Sequence, residues 1–200
     1  MKILKITDLK EMLNNTEKLY ENRPAYKIRE EEQKYKIITY QQLREMVNAL
    51  GTQLIELGLS GKRIAIIGEN RYEWQIAYLS VVCGTGTVVP LDKSLPENEI
   101  KRLIQRADVE AIFYSEKYEE KLKKIYKSKD TKLKYLFSMA DINELIEKGQ
   151  EQIKQGNRKF LDAQINPEEM NIMLFTSGTT SESKAVALSH KNICTNLIDL

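Results

Sequence analysis

The run Ile64-Ala65-Ile66-Ile67 constrains the fold of this 200-residue chain more than any other stretch. It has no polar side chain at either alternate position, so as a strand it must be covered on both faces. The segments after it keep an alternating order. Residues 74–83 read as a helix and 88–91 as a second apolar strand. Ser94 and Glu97 then stand as a capping pair before a helix with Ile100, Leu103, Ile104 and Ala107 inward. A strand is expected at 111–114, then a charged helix with Tyr118, Leu122 and Ile125 inward. Another strand follows at 135–137, and Asp141 with Glu144 opens a helix bearing Leu145, Ile146 and Ile153. This order predicts an α/β fold: a doubly wound, mostly parallel sheet flanked by helices. Ligands of such sheets bind outside the carboxyl ends of the strands.

Upstream, the first fifteen residues suggest a short amphipathic helix with Ile6, Leu9 and Leu13 on one side. Residues 25–28 and 35–38 alternate in polarity around a charged turn, the pattern of a hairpin. Thr39 and Gln42 form a capping box for a helix whose inward face is Tyr40, Leu43, Val47, Leu50, Leu54 and Leu57. Gly58 ends it.

Composition removes several function classes. Thirty-one basic and 29 acidic residues leave a net charge of +2, so no strong field recruits nucleic acid or a membrane surface. Residues 74–91 carry no charge, but Gly84, Gly86 and Pro90 break the second half. That stretch reads as a buried helix turning into a buried strand, not a transmembrane segment. The lysines of 117–134 are interrupted by Glu119, Glu120 and Asp130 and read as a solvated helix face. Cys83 and Cys194 fit no metal or redox spacing, and their scarcity points to a reducing, cytoplasmic setting. No cluster of His, Cys or carboxylates has metal-ligand spacing. His190 is the only histidine and, beside the helix cap Ser189, reads as structural.

The chemistry concentrates near the end of the chain. The apolar run 172–175 enters a tract in which six of the eight residues from Thr176 to Ser183 carry hydroxyls; Lys184 and a second alternating run follow. This reads as strand, loop, strand. Many hydroxyl donors, one glycine and one lysine suit a loop that holds phosphate oxygens, although a serine- and threonine-rich surface hairpin has the same composition. Three familiar signatures fail here. A P-loop needs Gly before the lysine and Ser or Thr after it, where this chain has Ser183 and Ala185. Ser181 to Lys184 matches Ser-x-x-Lys but leads into a strand, and the partner motifs of that chemistry are absent. Gly84-Thr85-Gly86 lacks the third glycine of a dinucleotide turn and precedes a strand. Ser177 is not in a Gly-x-Ser-x-Gly elbow, so a serine hydrolase is also disfavoured.

The stretch Phe175-Thr176-Ser177-Gly178-Thr179-Thr180-Ser181-Glu182-Ser183-Lys184-Ala185-Val186, followed by Ser189-His190-Lys191-Asn192, resembles the phosphate-binding signature of the AMP-forming adenylating enzymes. Ser181, Ser183 and Ala185 replace the usual Gly, Pro and Gly. The resemblance extends upstream through Thr39-Tyr40…Leu43, Gly61 to Ile66, Gly68-Glu69-Asn70…Glu73-Trp74, Val89-Pro90-Leu91-Asp92 and Ile112 to Ser115. The Glu69-Asn70…Glu73-Trp74 wording is most similar to long-chain fatty acyl-CoA ligases.

That resemblance implies an ATP-dependent ligase with Mg2+ and coenzyme A, activating a carboxylic acid through an acyl-adenylate. Thr176, Ser177, Thr179 and Thr180 would bond the β- and γ-phosphates, Gly178 would let the backbone approach, and Lys184 would supply charge. It also implies that residues 1–200 are the amino-terminal portion of an AMP-binding domain, ending just after the phosphate loop. The later large-domain segments and the small carboxyl-terminal domain, which hold the family's catalytic lysine, would lie elsewhere. No catalytic residue or metal ligand is then expected within this chain, and the fragment alone is expected to be inactive. An aryl-CoA ligase, a peptide-synthetase adenylation domain and a non-catalytic binding module keeping the fold are the alternatives. Acyl chain length and oligomeric state are not encoded in these residues.

Overall fold

The computed structural model describes residues 6–31, 34–176 and 183–198. Asp8 caps helix α1 (Leu9–Tyr20) by accepting from the Glu11 N–H at 2.8 Å. The helix therefore begins at Leu9 and runs past the expected first fifteen residues, with Leu9 and Leu13 buried as expected. Strands β1 (Pro24–Glu31) and β2 (Lys34–Thr39) form the expected antiparallel hairpin. Helix α2 (Tyr40–Glu56) starts at a true capping box: Gln42 N–H donates to Thr39 Oγ1 at 3.2 Å and Thr39 N–H to Gln42 Oε1 at 2.9 Å. Gly58, at φ +77°, follows its C-cap in a conformation that side chains resist.

From there strand and helix alternate: β3 (Arg63–Ile67), α3 (Tyr72–Val82), β4 (Thr87–Pro90), α4 (Glu97–Arg106), β5 (Val109–Tyr114), a 3-10 turn at Glu116–Tyr118, α5 (Glu119–Lys127), β6 (Tyr135–Ser138), α6 (Ile142–Lys154), β7 (Met170–Thr176), β8 (Lys184–Ser189) and α7 (His190–Ile198). The sheet order is β6-β5-β3-β4-β7-β8. Every pairing is parallel except β7 with β8. The uncharged stretch 74–91 is indeed helix, turn and strand, and among the described residues no helix is long and apolar enough to cross a membrane.

The apolar run divides as a doubly covered strand must. Ile64 and Ile66 face a cluster with residues of α1, α2, α3, α6 and α7. Ala65 and Ile67 face the opposite cluster, built with α4 and α5. All four are fully buried.

Two expected caps differ in detail. Ser94 does not cap α4; its N–H and hydroxyl both turn back to Asp92 Oδ1 at 2.8 Å. The helix starts instead after Pro96, whose ring keeps the preceding residue extended. Asp141 is the residue before α6, but its main-chain carbonyl and not its side chain receives the Glu144 N–H. The lysines of 117–134 are solvated and paired across elements, Lys124 with Glu97, Lys132 with Asp108 and Lys134 with Glu110.

Candidate phosphate-binding hairpin

Strand β7 runs parallel to β4, with Val88 opposite Ile172, so its carboxyl end lies on the same edge as the ends of β3, β4, β5 and β6. Thr176 is the last residue of that strand. Strand β8 returns antiparallel, and its first residue, Lys184, is the register partner of Thr176; Phe175 faces Ala185 and Leu174 faces Val186. Directly opposed residues put their side chains on one face of a sheet. A hydroxyl and an ammonium therefore flank the mouth of the loop side by side, with Lys184 exposed. Ser177, Gly178, Thr179 and Thr180 lie outside the described residues, as do Ser181 and Glu182.

Alternation along β7 assigns the two faces. Ile172 and Leu174 join the cluster under α2 and α3, whereas Met173 and Phe175 join the one under α4. On that second side α4 reaches the loop. Arg106 Nη1 donates to the Ser183 carbonyl at 2.7 Å, and the guanidinium stands 5.7 Å from the Phe175 ring centroid. Ser183 Oγ donates to Glu99 Oε1 at 3.2 Å, and Glu99 also receives Arg102 Nη2 at 2.9 Å. These residues lie far from the tract along the chain, so the tract's own sequence does not point to them. Their only signal is that Glu99, Arg102 and Arg106 form one stripe of α4, off its apolar face.

Downstream, the expected cap holds. Asn192 N–H donates to Ser189 Oγ at 3.3 Å, and Ser189 N–H donates to Asn192 Oδ1 at 2.9 Å. His190 is wholly buried and structural. The Leu9 N–H donates to its Nδ1 at 3.0 Å, leaving Nε2–H to donate to the Val82 carbonyl at 3.1 Å. Burial pushes its pKa below the ordinary imidazole value against the opposing pull of Val82 and Asp8.

Acids on the same sheet edge are tied down. Glu69 accepts the Ser115 hydroxyl, which holds its carboxyl below the usual range. Asp92 is lowered by the Ser94 N–H and hydroxyl. Arg71 grips Glu73 through Nε and Nη2, both at 2.8 Å, and reaches Glu116 at 3.1 Å. Gly84-Thr85-Gly86 is a packed turn: the Thr85 hydroxyl is buried and donates to the Ser80 carbonyl. Cys83 and Cys194 are free and buried. Among the described residues no group of three or more His, Cys, Asp or Glu side chains could hold a metal ion.

Residues 13–200 match the family described as AMP-binding enzyme. The chain belongs to that AMP-binding family. It is 28% identical over 194 residues to long-chain-fatty-acid–CoA ligase 5 of Rattus norvegicus, covering 88% of this chain and 28% of that protein. Among solved structures, a long-chain-fatty-acid-CoA ligase of Archaeoglobus fulgidus superposes with a TM-score of 0.79 at 16% identity, covering 98% of this chain and 39% of the other. An anthranilate CoA ligase in complex with anthranoyl-AMP gives 0.77 at 16%, covering 96% and 36%. The fold is thus one that these acyl-CoA ligases share. The chain spans under a third of the length of the curated relatives it matches.

Proposed function

We propose that this chain is the amino-terminal portion of the AMP-binding domain of an ATP-dependent acyl-CoA ligase, and that residues 176–184 hold the β- and γ-phosphates of ATP. The observation that carries this reading is the cross-strand pair Thr176–Lys184 at the carboxyl edge of a parallel sheet, flanking a hydroxyl-rich tract. The substrate carboxylate attacks the α-phosphorus, pyrophosphate leaves, and the coenzyme A thiol then displaces AMP from the acyl-adenylate. The carboxylate is itself the nucleophile, so this portion of the enzyme has to position phosphates and offset charge. Thr176, Ser177, Thr179 and Thr180 donate hydrogen bonds, Gly178 admits the backbone close to the phosphates, and Lys184 neutralises pyrophosphate as it departs. Magnesium would arrive on the nucleotide's own phosphates.

A long-chain fatty acid is the acid we favour, on the names of the relatives matched over most of the chain. The near-equal superposition on the anthranilate ligase supports an aryl acid as the second reading. Buried, free Cys83 and Cys194 fit a reducing, cytoplasmic setting. In the full-length ligase, Lys184→Ala is expected to lower kcat/KM for ATP about 10- to 100-fold in ATP–pyrophosphate exchange, the loss of one charge-assisted contact. An unchanged exchange rate would remove the assignment. Running the exchange with palmitate and with benzoate separates the two acids.

A further inference from the structure

We infer that helix α4 is a brace for the phosphate tract, with Glu99 and Arg106 as positioning residues that do the work of the proline this chain lacks. The inference rests on the phosphate-binding reading of residues 176–184.

Ser183 immediately precedes Lys184, in the position where the resembled signature has proline. A proline there fixes φ and stiffens the approach to the lysine, whereas serine leaves that backbone free. Here Ser183 is held at two points instead. Its carbonyl accepts from Arg106 Nη1 at 2.7 Å and its hydroxyl donates to Glu99 Oε1 at 3.2 Å. The two anchors lie on one stripe of α4, and Arg102 Nη2 fixes the Glu99 carboxylate at 2.9 Å. The same Arg106 guanidinium lies 5.7 Å from the Phe175 ring, so α4 holds the strand entering the tract as well as the residue leaving it. Phe175 and Ala185 are register partners, which makes these the two stems of one loop.

The brace acts from the side that leaves the site open. Phe175 and Met173 lie on the α4 face, and alternation sends Thr176 and Lys184 to the other. The helix itself is fastened by the buried Ile100, Leu103 and Ile104 on its inward face, so it is a fixed point against which the loop can be held.

Because such a brace fixes Ser183, and with it the approach to Lys184, before ATP arrives, its loss raises KM for ATP more than it lowers kcat. In ATP–pyrophosphate exchange by the full-length ligase, Glu99→Ala and Arg106→Ala are each expected to raise KM for ATP about three- to tenfold, with a smaller change in kcat. Arg106→Lys, which keeps a donor, recovers part of the loss. Ser183→Pro removes the hydroxyl that Glu99 receives and restores the fixed φ, so Glu99→Ala in that background has no further effect on KM. A purely structural Glu99 would show the same loss, and the same drop in melting temperature, in both backgrounds; that result overturns the brace. Lys184→Ala is the companion measurement. If it lowers kcat/KM for ATP while Glu99→Ala and Arg106→Ala leave KM unchanged, the brace alone is refuted. If it leaves kcat/KM for ATP unchanged, the phosphate assignment falls and takes the brace with it.

Discussion

Replacing His190 with leucine removes a side chain that joins three helix ends. The imidazole belongs to the first residue of α7, accepts from the N–H of the first residue of α1, and donates to the carbonyl of the last residue of α3. First-turn N–H groups and last-turn carbonyls have no partner within their own helices. Leucine has about the same bulk, so the cost comes from two buried polar groups left unsatisfied, at about 1–3 kcal/mol each. The expected loss is about 4 kcal/mol, near half the stability of an ordinary domain. With a urea m-value of about 2 kcal/mol/M, the unfolding midpoint should fall by about 2 M. The pH dependence gives an independent check. The folded imidazole is held below its ordinary value of 6.5 chiefly by burial, so below that pH the unfolded chain takes up a proton that the folded chain refuses. His190 therefore contributes full stability above about pH 6.5, and that contribution declines as acid carries the pH down towards the folded value. It is the only histidine, and carboxylates titrate mainly at lower pH, so the window from about 5.5 to 6.5 reports on this ring. Urea titrations of the chain at pH 5.5, 6.5 and 7.5 should show a slope in the native protein that is absent from His190→Leu. A loss under 1 kcal/mol at pH 7.5, or a native chain that gains stability on acidification through this window, would refute the neutral, doubly bonded ring.

Gly149 of α6 lies against α2, where an added Cβ would stand 1.9 Å from the Ala49 carbonyl oxygen. Backbone cannot yield as a side-chain tip does, so Gly149→Ala should force the helices apart and cost about 3 kcal/mol, read by thermal unfolding against the native chain; equal melting temperatures for the two would exclude that close approach. Arg71→Met leaves the nearly buried Glu73 carboxylate without its two-point partner. Because Arg71 is 30% exposed, solvent screening reduces the expected loss to about 2 kcal/mol in urea unfolding at pH 7. Burial alone would raise the Glu73 pKa, but the bonds and charge of Arg71, together with hydrogen bonds from the Glu73 N–H and Tyr72, outweigh it and hold the carboxyl below its ordinary value of 4.5. The pair's contribution is accordingly present above that pH and lost as pH falls through the folded value, and the variant should lack this acid-side decline.

The parts of the fold that could be read from the sequence are those decided by neighbours along the chain. Helix α2 carries its capping box, apolar face and terminal glycine within residues 39–58, and all three appear in the structure. Strand β3 is likewise set by its own four apolar residues. Ser94 shows where local reasoning stops. Ser94 and Glu97 have the spacing of a cap, but Asp92 competes for the serine and Pro96 delays the helix. Phe160 was not legible at all. It sits in an aperiodic stretch, yet its ring is fully buried against Gly51 of α2 and Gly84, while Lys10 donates to its carbonyl at 2.7 Å. Such contacts join residues from 76 to 150 positions apart, and no period within one element announces them. The candidate site divides in the same way. Its lysine and hydroxyls are contiguous in sequence, whereas the α4 side chains that touch the loop are not.

The single antiparallel pairing of the six-stranded sheet accounts for the geometry of the proposed site. In a parallel sheet each strand ends at the carboxyl edge and the chain leaves through a helix, so one strand supplies one terminal residue there. Had β7 been followed by a crossover, the residue after the tract would open a helix and its side chain would turn away with the first turn. The β7–β8 hairpin instead returns the chain at once, and Lys184 stands opposite Thr176. A ligand over the loop thus meets groups from both ends of the tract at the separation of one strand pair, about 5 Å. The neighbouring strands ending on that edge cannot provide this, since their own loops lead into α3, α4 and α5. The charge balance follows from the same placement. Arg71 on that edge is committed to Glu73 and Glu116, and Lys117 lies 3.9 Å from Glu69. Lys184 is left exposed at the loop mouth, where the departing charge of a polyphosphate would be offset most directly.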